Sequence, residues 1–231
     1  MKILAIDTSA ITATAALLDG EAVKAEISFS GALTHSQTIM PMIDELLSEL
    51  SLSCKDIDLF ACSVGPGSFT GLRIGIGTIK GLAYGADKPV VGISTLEALA
   101  QNVFCSPFLI SPIMDARRNQ VYNALYRFNG QKLVCVEEPR ALSVEELAAQ
   151  LNEKTVFVGD GVKVHREYLQ NALGQSAVFA PPHLLLQRAG SVCTCALDKE
   201  PMSADKLGAI YLRKPQAERE REEKEQKNKI L

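Results

Sequence analysis

The chain has 231 residues, 47% hydrophobic and 22% charged, with a formal net charge of -3. That length supplies one large domain or two small ones around a real core, and the composition is that of an ordinary soluble protein. The segment from Arg213 onward holds seven Lys/Arg against five Asp/Glu. That leaves about -5 on the body, so no basic surface advertises nucleic-acid binding. Met1 to Ile6 is an apolar run too short for a signal peptide or a membrane span, which points to the cytoplasm. Six cysteines (Cys54, Cys62, Cys105, Cys135, Cys193 and Cys195) are scattered along the chain and are expected to be reduced, structural thiols. With three histidines and no Cys-x-x-Cys, no zinc pattern is present.

In chain order, Lys2 to Thr8 reads as a strand ending in Asp7-Thr8-Ser9. Thr12 to Leu18 is a second strand, Asp19-Gly20 a hairpin turn, and Ala22 to Ser30 a half-buried third strand alternating Val23, Ala25, Ile27 and Phe29. A helix follows from about His35 to Leu50. Its stripe of Ile39, Ile43, Leu46, Leu47 and Leu50 is well formed, and Met40 and Met42 widen it beyond one face. Leu59 to Val64 is a fourth strand.

Next comes Gly65-Pro-Gly-Ser-Phe-Thr-Gly-Leu-Arg-Ile-Gly-Ile-Gly77, running on through Gly81 to Gly85. It turns through Gly-Pro-Gly and opens a helix at about Ser68 to Thr70, where a hydroxyl can serve as N-cap. Five interior glycines (Gly71, Gly75, Gly77, Gly81 and Gly85) cost roughly 5 kcal/mol in helix propensity. On a helical wheel they share an arc of about 160° with Ile74, Thr78 and Leu82. Leu72, Ile76, Ile79 and Ala83 form a separate apolar stripe, and Arg73, Lys80 and Tyr84 a polar edge. A smooth glycine face lets another backbone approach closely. The approaching element is either a second subunit or a neighbouring helix of the same chain.

Pro89 to Ile93 is a fifth strand and Thr95 to Phe104 a helix. After a joint near Ser106-Pro107 the strands start over: Leu109 to Met114, Val121 to Phe128, a turn at Asn129-Gly130, then Leu133 to Glu137. Val144 to Leu151 is a helix with a Ser143–Glu146 capping box. A strand (Thr155 to Val158), a turn at Gly159-Asp160-Gly161, a helix near Val164 to Leu173 and a strand near Ala177 to Ala180 follow. A longer helix runs from about Leu184 to Leu197. From Lys214 the chain is mixed-charge and nearly free of apolar residues, so a frayed or disordered tail is expected.

Three antiparallel strands, βαβα units and a partial recurrence give an α/β pattern like the actin/hexokinase/Hsp70 ATPase (ASKHA) architecture. The division is residues 1–105, a shorter, degenerate second subdomain at 106–213, and the tail at 214–231. In that architecture the first hairpin, here Asp7-Thr8-Ser9 to Thr12, approaches nucleotide phosphates. Ser9 departs from the glycine usual there, and no second Asp-rich hairpin or late Gly-rich adenosine loop follows. The nucleotide site reads as vestigial, with Asp7 the residue best placed to touch a nucleotide's metal or to act as a turn aspartate. The Gly-rich turn lacks a phosphate-loop lysine. Ser68 lacks both the G-x-S-x-G elbow and a nearby histidine.

Met1-Lys-Ile-Leu-Ala-Ile-Asp-Thr-Ser9, His35-Ser-Gln-Thr-Ile-Met-Pro41, Gly65-Pro-Gly-Ser-Phe-Thr-Gly-Leu-Arg-Ile-Gly75, Gly92-Ile-Ser-Thr-Leu96, Asp115-Ala-Arg117 with Tyr122, and Tyr211-Leu-Arg213 together resemble the TsaB (YeaZ) family. The resemblance implies a part in making N6-threonylcarbamoyladenosine at position 37 of tRNAs reading ANN codons. There TsaD transfers the threonylcarbamoyl group, assisted by TsaB and the ATPase TsaE. The catalytic paralogue carries a His-x-x-x-His metal pair after the strand corresponding to Pro89–Ile93. The matching positions here are Thr95 and Leu99, neither a ligand, and lone His35 has no partner at Ile39.

The expected function is a non-catalytic scaffold without cofactor or metal. It pairs with a TsaD-like subunit through Ile39, Met40, Ile43 and Leu47 of one helix and Gly71, Arg73, Ile74, Gly75, Gly77, Thr78, Gly81, Leu82 and Gly85 of the other. A TsaE-like ATPase assists, tRNA is met only indirectly, and the chain alone forms homodimers through the same surface. The competing expectation is a nucleotide-binding or weakly hydrolytic enzyme using the Asp7-Thr8 hairpin. Asp115-x-Arg117 reads equally as a partner or ligand contact and as a strand-end salt bridge.

Overall fold

The computed structural model of the chain describes residues 1–31 and 33–213; the tail from Lys214 to Leu231 lies outside them. The first five-stranded sheet comprises β1 (Lys2–Asp7), β2 (Thr12–Asp19), β3 (Ala22–Ser30), β4 (Leu59–Gly65) and β5 (Val90–Ser94), in the spatial order β3-β2-β1-β4-β5. β1, β2 and β3 are antiparallel neighbours, and β4 and β5 continue parallel to β1. The second sheet comprises β6 (Leu109–Asp115), β7 (Gln120–Asn129), β8 (Lys132–Ser143), β9 (Thr155–Val158) and β10 (Ala177–Phe179), in the order β10-β9-β6-β7-β8. Its directions repeat those of the first.

The two sheets are therefore one topology used twice, the arrangement of the ASKHA class. In the second half, expected to be short and degenerate, every strand and every connecting helix of the first recurs. α1 (His35–Glu49), α2 (Phe69–Ala86) and α3 (Thr95–Gln101) are matched by α4 (Val144–Gln150), α5 (Gly161–Leu173) and α6 (Ala189–Ala196). What shrinks is helix length: α4 and α5 have 7 and 13 residues where α1 and α2 have 15 and 18.

Each sheet is covered on both faces, which is why the central strands read as continuous apolar runs rather than alternating ones. α1 and α2 bury Ile39, Ile43, Leu46, Ile76, Ile79 and Ala83 against one face of the first sheet. The other face is covered by α6, whose Val192, Cys193 and Ala196 pack on Ile3, Ala5, Ala16 and Val91. The second sheet has α4 and α5 on one face, and α3 on the other through Leu96, Leu99 and Ala100 against Ile110, Met114 and Tyr126. Each half thus lends its last helix to the other half's sheet. α3 and α6 also pack on each other.

That exchange explains why α6 begins at Ala189 instead of the expected Leu184. The carbonyls of Leu184 and Leu186 accept hydrogen bonds from Asn102 Nδ2 at 2.9 and 2.8 Å, and that of Leu185 from the Gly159 amide at 2.7 Å. Carbonyls committed sideways cannot serve a helix ladder. Arg188 then takes an extended backbone and reaches Glu26 of β3. α3 likewise stops at Gln101, short of the expected Phe104.

A last segment, Met202 to Arg213, returns across the first subdomain. Met202 bridges to Val90, Leu207 enters the core, and the Ile210 amide donates to the Val64 carbonyl at 2.7 Å. Asn102, 8% exposed, is the polar joint of the whole arrangement, since its Oδ1 also accepts from Ser191 Oγ at 2.7 Å. Asn102→Ala should cost about 1–3 kcal/mol, because two part-buried carbonyls and a hydroxyl lose their partner. Urea denaturation measures this, and a cost under about 0.5 kcal/mol would show that packing alone fixes the joint.

Candidate partner-docking surface

α2 starts where the sequence places it. Ser68 is the N-cap, its hydroxyl accepting from the Gly71 amide at 3.2 Å. The expected apolar stripe is buried: Leu72, Ile76, Ile79 and Ala83 are each at most 7% exposed. The helix ends at Asp87, in a left-handed conformation with φ 55°.

The glycine arc is divided between two uses. A Cβ on Gly71 would collide with the Thr8 carbonyl, and one on Gly75 with the Thr8 hydroxyl. Thr8 Oγ1 in turn donates to the Gly71 carbonyl at 2.8 Å. Gly67 is closed off by Ser9 in the same manner, and the Ser68 amide donates to the Ser9 carbonyl at 2.6 Å. The backbone approaching these glycines is the chain's own β1–β2 turn. Gly77, Gly81 and Gly85 differ: all are exposed, and a Cβ on any of them would meet nothing within 4 Å.

The expected interface residues sort accordingly. Ile39, Ile43 and Leu47 of α1 are 1%, 1% and 7% exposed and belong to the chain's own core, and Gly71 and Gly75 are buried under Thr8. As surface residues these five are corrected, because the apolar stripe of α1 is consumed by the first sheet. Met40 and Arg73 are exposed, and Ile74, Thr78 and Leu82 are half-buried along the edge of the open glycines. Arg73, Gly77, Gly81 and Gly85 recur every four residues and so share one side of the helix. Tyr84, 81% exposed, stands beside them.

The late motif has a part that the sequence alone does not disclose. Tyr211 packs on Phe69 with ring centroids 4.9 Å apart, and the Arg73 guanidinium lies 4.0 Å from the centre of the same Phe69 ring. The returning segment thereby braces the arginine at one end of the open row. Gly65 permits that return, since a Cβ there, at φ 128°, would collide with the Ile210 carbonyl.

The β1–β2 turn is shut. Asp7, Thr8 and Ser9 are 1%, 2% and 0% exposed. Asp7 Oδ1 accepts from the Ser9 amide at 2.7 Å and the Ser9 hydroxyl at 2.6 Å, and Oδ2 accepts from the Ser63 hydroxyl. Burial pushes the Asp7 carboxyl up, against the opposing pull of its Ser63 and Ser9 hydrogen bonds. His35 ties α1 to the same turn, its Nε2 lying 2.7 Å from the Ala10 carbonyl. This is turn chemistry, with every Asp7 oxygen directed into the protein.

Thr95 and Leu99 are 0% and 1% exposed, and Leu99 packs between the subdomains. Among the described residues, no group of three or more His, Cys, Asp or Glu is placed to hold a metal ion. No helix among them is long and apolar enough to cross a membrane. The six cysteines are unpaired, and burial pushes the Cys193 thiol up to about 12. Asp115 and Arg117 form a local pair: Oδ1 accepts from the Arg117 amide at 2.8 Å and Oδ2 lies 3.4 Å from the guanidinium.

Comparison with known proteins fits this geometry. A family model described as "TsaD: tRNA N6-adenosine threonylcarbamoyltransferase" matches residues 27–220. The tRNA threonylcarbamoyladenosine biosynthesis protein TsaB of Bacillus subtilis (strain 168) is 34% identical over 221 residues, covering 94% of this chain and 96% of that protein. TsaB of Haemophilus influenzae is 34% identical over 228 residues, covering 92% and 94%. The structure of YeaZ from Pseudomonas aeruginosa superposes with a TM-score of 0.79 at 26% identity, over 91% of this chain and 99% of that one. The ethanolamine utilization protein EutJ from Carboxydothermus hydrogenoformans, at a TM-score of 0.50 and 12% identity over 83% and 89%, shares the fold alone.

The two classes of glycine make opposite predictions. Gly71→Ala should destabilise by about 1–3 kcal/mol, since the Thr8 backbone must shift, whereas Gly81→Ala should stabilise by about 0.5–1 kcal/mol. Thermal denaturation of the two variants decides it, and equal effects would contradict the division. The matches to the TsaD model and to the TsaB proteins, over nearly the whole described chain, establish that this chain belongs to the TsaB (YeaZ) family.

Proposed function

We propose that the chain is a non-catalytic subunit of the machinery that makes N6-threonylcarbamoyladenosine in tRNA, acting in the cytoplasm. It pairs through α2 with a TsaD-type transferase, and a TsaE-type ATPase assists. The observation that carries this reading is the row Gly77, Gly81 and Gly85, open to solvent. Three exposed interior glycines cost about 3 kcal/mol of helix propensity, and among the described residues no other part of the chain makes use of their bareness. A second backbone lying along Arg73 to Gly85 would, flanked by Met40 of the adjacent α1 and by Tyr84.

On this reading the subunit performs no chemistry. It holds the transferase in its competent conformation, a shift of population. Two copies of the chain can occupy the same face when the transferase is absent. The buried Thr95 and Leu99 fit a role without a metal pair, and tRNA is reached only through the partner. The competing nucleotide-hydrolysing reading loses support, because the Asp7 carboxylate is sealed and fully hydrogen-bonded.

Gly81→Leu, or Gly77→Leu, places a bulky side chain where a Cβ meets no neighbour, so the fold should survive. Co-purification with the transferase should fall at least about 100-fold, a loss of roughly 2.7 kcal/mol. tRNA modification reconstituted from purified components should fall with it, while circular dichroism stays unchanged. Undiminished pairing by a folded Gly81→Leu protein would overturn the assignment of this surface.

A further inference from the structure

α2 and the last residues of the returning segment form a strip without acid. From Phe69 to Ala86 the helix has no Asp or Glu, and neither does the run Gly208 to Arg213. The same two stretches carry Arg73, Lys80 and Arg213, in a chain whose formal net charge is -3. Asp87 and Asp205 stand at the far end of the helix, Asp205 by Lys80. α1 does not restore the balance near Arg73. It meets α2 at its start, with the His35 ring beside the space that a Gly71 side chain would fill. Its first carboxylate, Asp44, comes nine residues later, about 13 Å further along the axis.

Lys80 and Arg213 are engaged within the chain, by the Asp205 carbonyl at 3.2 Å and the Ala116 carbonyl at 3.3 Å. Arg73 is held differently. It is exposed, yet its guanidinium is pinned over the Phe69 ring, which Tyr211 braces in turn. Stacking uses the flat face of a guanidinium and leaves the in-plane N–H groups able to donate. Among the described residues, no hydrogen bond or ion pair occupies those groups. A planar fork held in one orientation suits a carboxylate, which it can grip with two parallel hydrogen bonds.

Position narrows the source of that carboxylate. Arg73 precedes Gly77 by four residues, about 6 Å along the axis, on the side of the open glycines. A polypeptide lying on Gly77 to Gly85 reaches it by continuing for one more turn. Ile210 and Tyr211, 54% and 40% exposed, flank the same end, and aromatic residues beside arginine are the groups that concentrate binding energy in protein interfaces. A nucleic acid is a poorer match, because three cations on a chain of negative net charge neutralise few phosphates.

We propose that Arg73, fixed by Phe69 and Tyr211, receives an Asp or Glu side chain of the transferase, carried one turn beyond the segment that lies on the glycines. This anchor rests on the pairing through α2 proposed above.

Titration calorimetry of the full chain against a purified TsaD-type transferase tests it, with Gly81→Leu measured alongside. Arg73→Gln should weaken pairing at least about tenfold, and Arg73→Glu at least about tenfold more, since a carboxylate would then face a carboxylate. Circular dichroism of both variants should match that of the unaltered chain. Raising the salt from about 0.05 to 0.5 M should weaken the unaltered pair more than the Arg73→Gln pair. Tyr211→Ala, which unbraces the ring, should weaken pairing about threefold, and Tyr211→Phe should restore it. Equal affinity of the Arg73→Gln and Arg73→Glu chains overturns the proposal. If Gly81→Leu still abolishes pairing in that case, the anchor alone falls; if Gly81→Leu also pairs normally, the α2 surface falls with it. Normal pairing by Arg73→Gln together with weaker tRNA binding by the complex would also overturn it, by assigning the arginine to nucleic acid.

Discussion

The seating of the Thr8-Ser9 turn on the first two turns of α2 is the contact from which the remaining geometry follows. Only residues without a Cβ allow it, because the Thr8 carbonyl and hydroxyl occupy the space that side chains at Gly71 and Gly75 would fill. The close approach lets Thr8 Oγ1 donate to the Gly71 carbonyl and turns Asp7 inward to Ser9 and Ser63. In this architecture the first hairpin is where a nucleotide's phosphates would be met. Here the turn is spent on holding a helix. The helix, fixed at its N-terminal end, then presents Gly77, Gly81 and Gly85 on a side that none of the described residues covers.

Rigidity at the other end of the molecule comes from exchange. α3 covers the second sheet and α6 the first, so neither half can open without uncovering apolar strands of both. The hydrogen bonds of Asn102 to the 184–186 backbone and the contact of Arg188 with Glu26 close the same joint with polar groups. The Met202–Arg213 segment adds a strap over β4 and α2, ending where Tyr211 supports Phe69 and Arg73. On the proposed function, a docking helix already fixed at its N-terminal end and from behind passes binding free energy to a partner without first ordering itself.

The helices and strands were largely legible because their signals are local. The Ser68 cap, the Leu72-Ile76-Ile79-Ala83 stripe, the Asp19-Gly20 turn and the Ser143–Glu146 capping box each act within a few residues, and each forms as expected. What the sequence hid is long-range. A helical wheel gathers five glycines on one arc but carries no information about which of them another segment will cover; the turn that covers Gly71 and Gly75 lies more than 60 residues upstream. The start of α6 was misplaced for a similar reason, since the carbonyls that break the pattern are claimed by Asn102, 82 residues earlier. The apolar stripe of α1 looked available for a partner because the demand of the first sheet for cover is invisible in the helix itself.

The central claim is that the bare outer row of α2 exists to be covered by another polypeptide while the inner glycines are already covered. Hydrogen exchange of the chain alone and with a TsaD-type transferase measures both halves of that claim at once. The account predicts slowed exchange along Gly77 to Gly85 on pairing, with Asp7 to Ser9 equally protected in both states. Protection appearing elsewhere, with the amides of Gly77 to Gly85 unchanged, would contradict it.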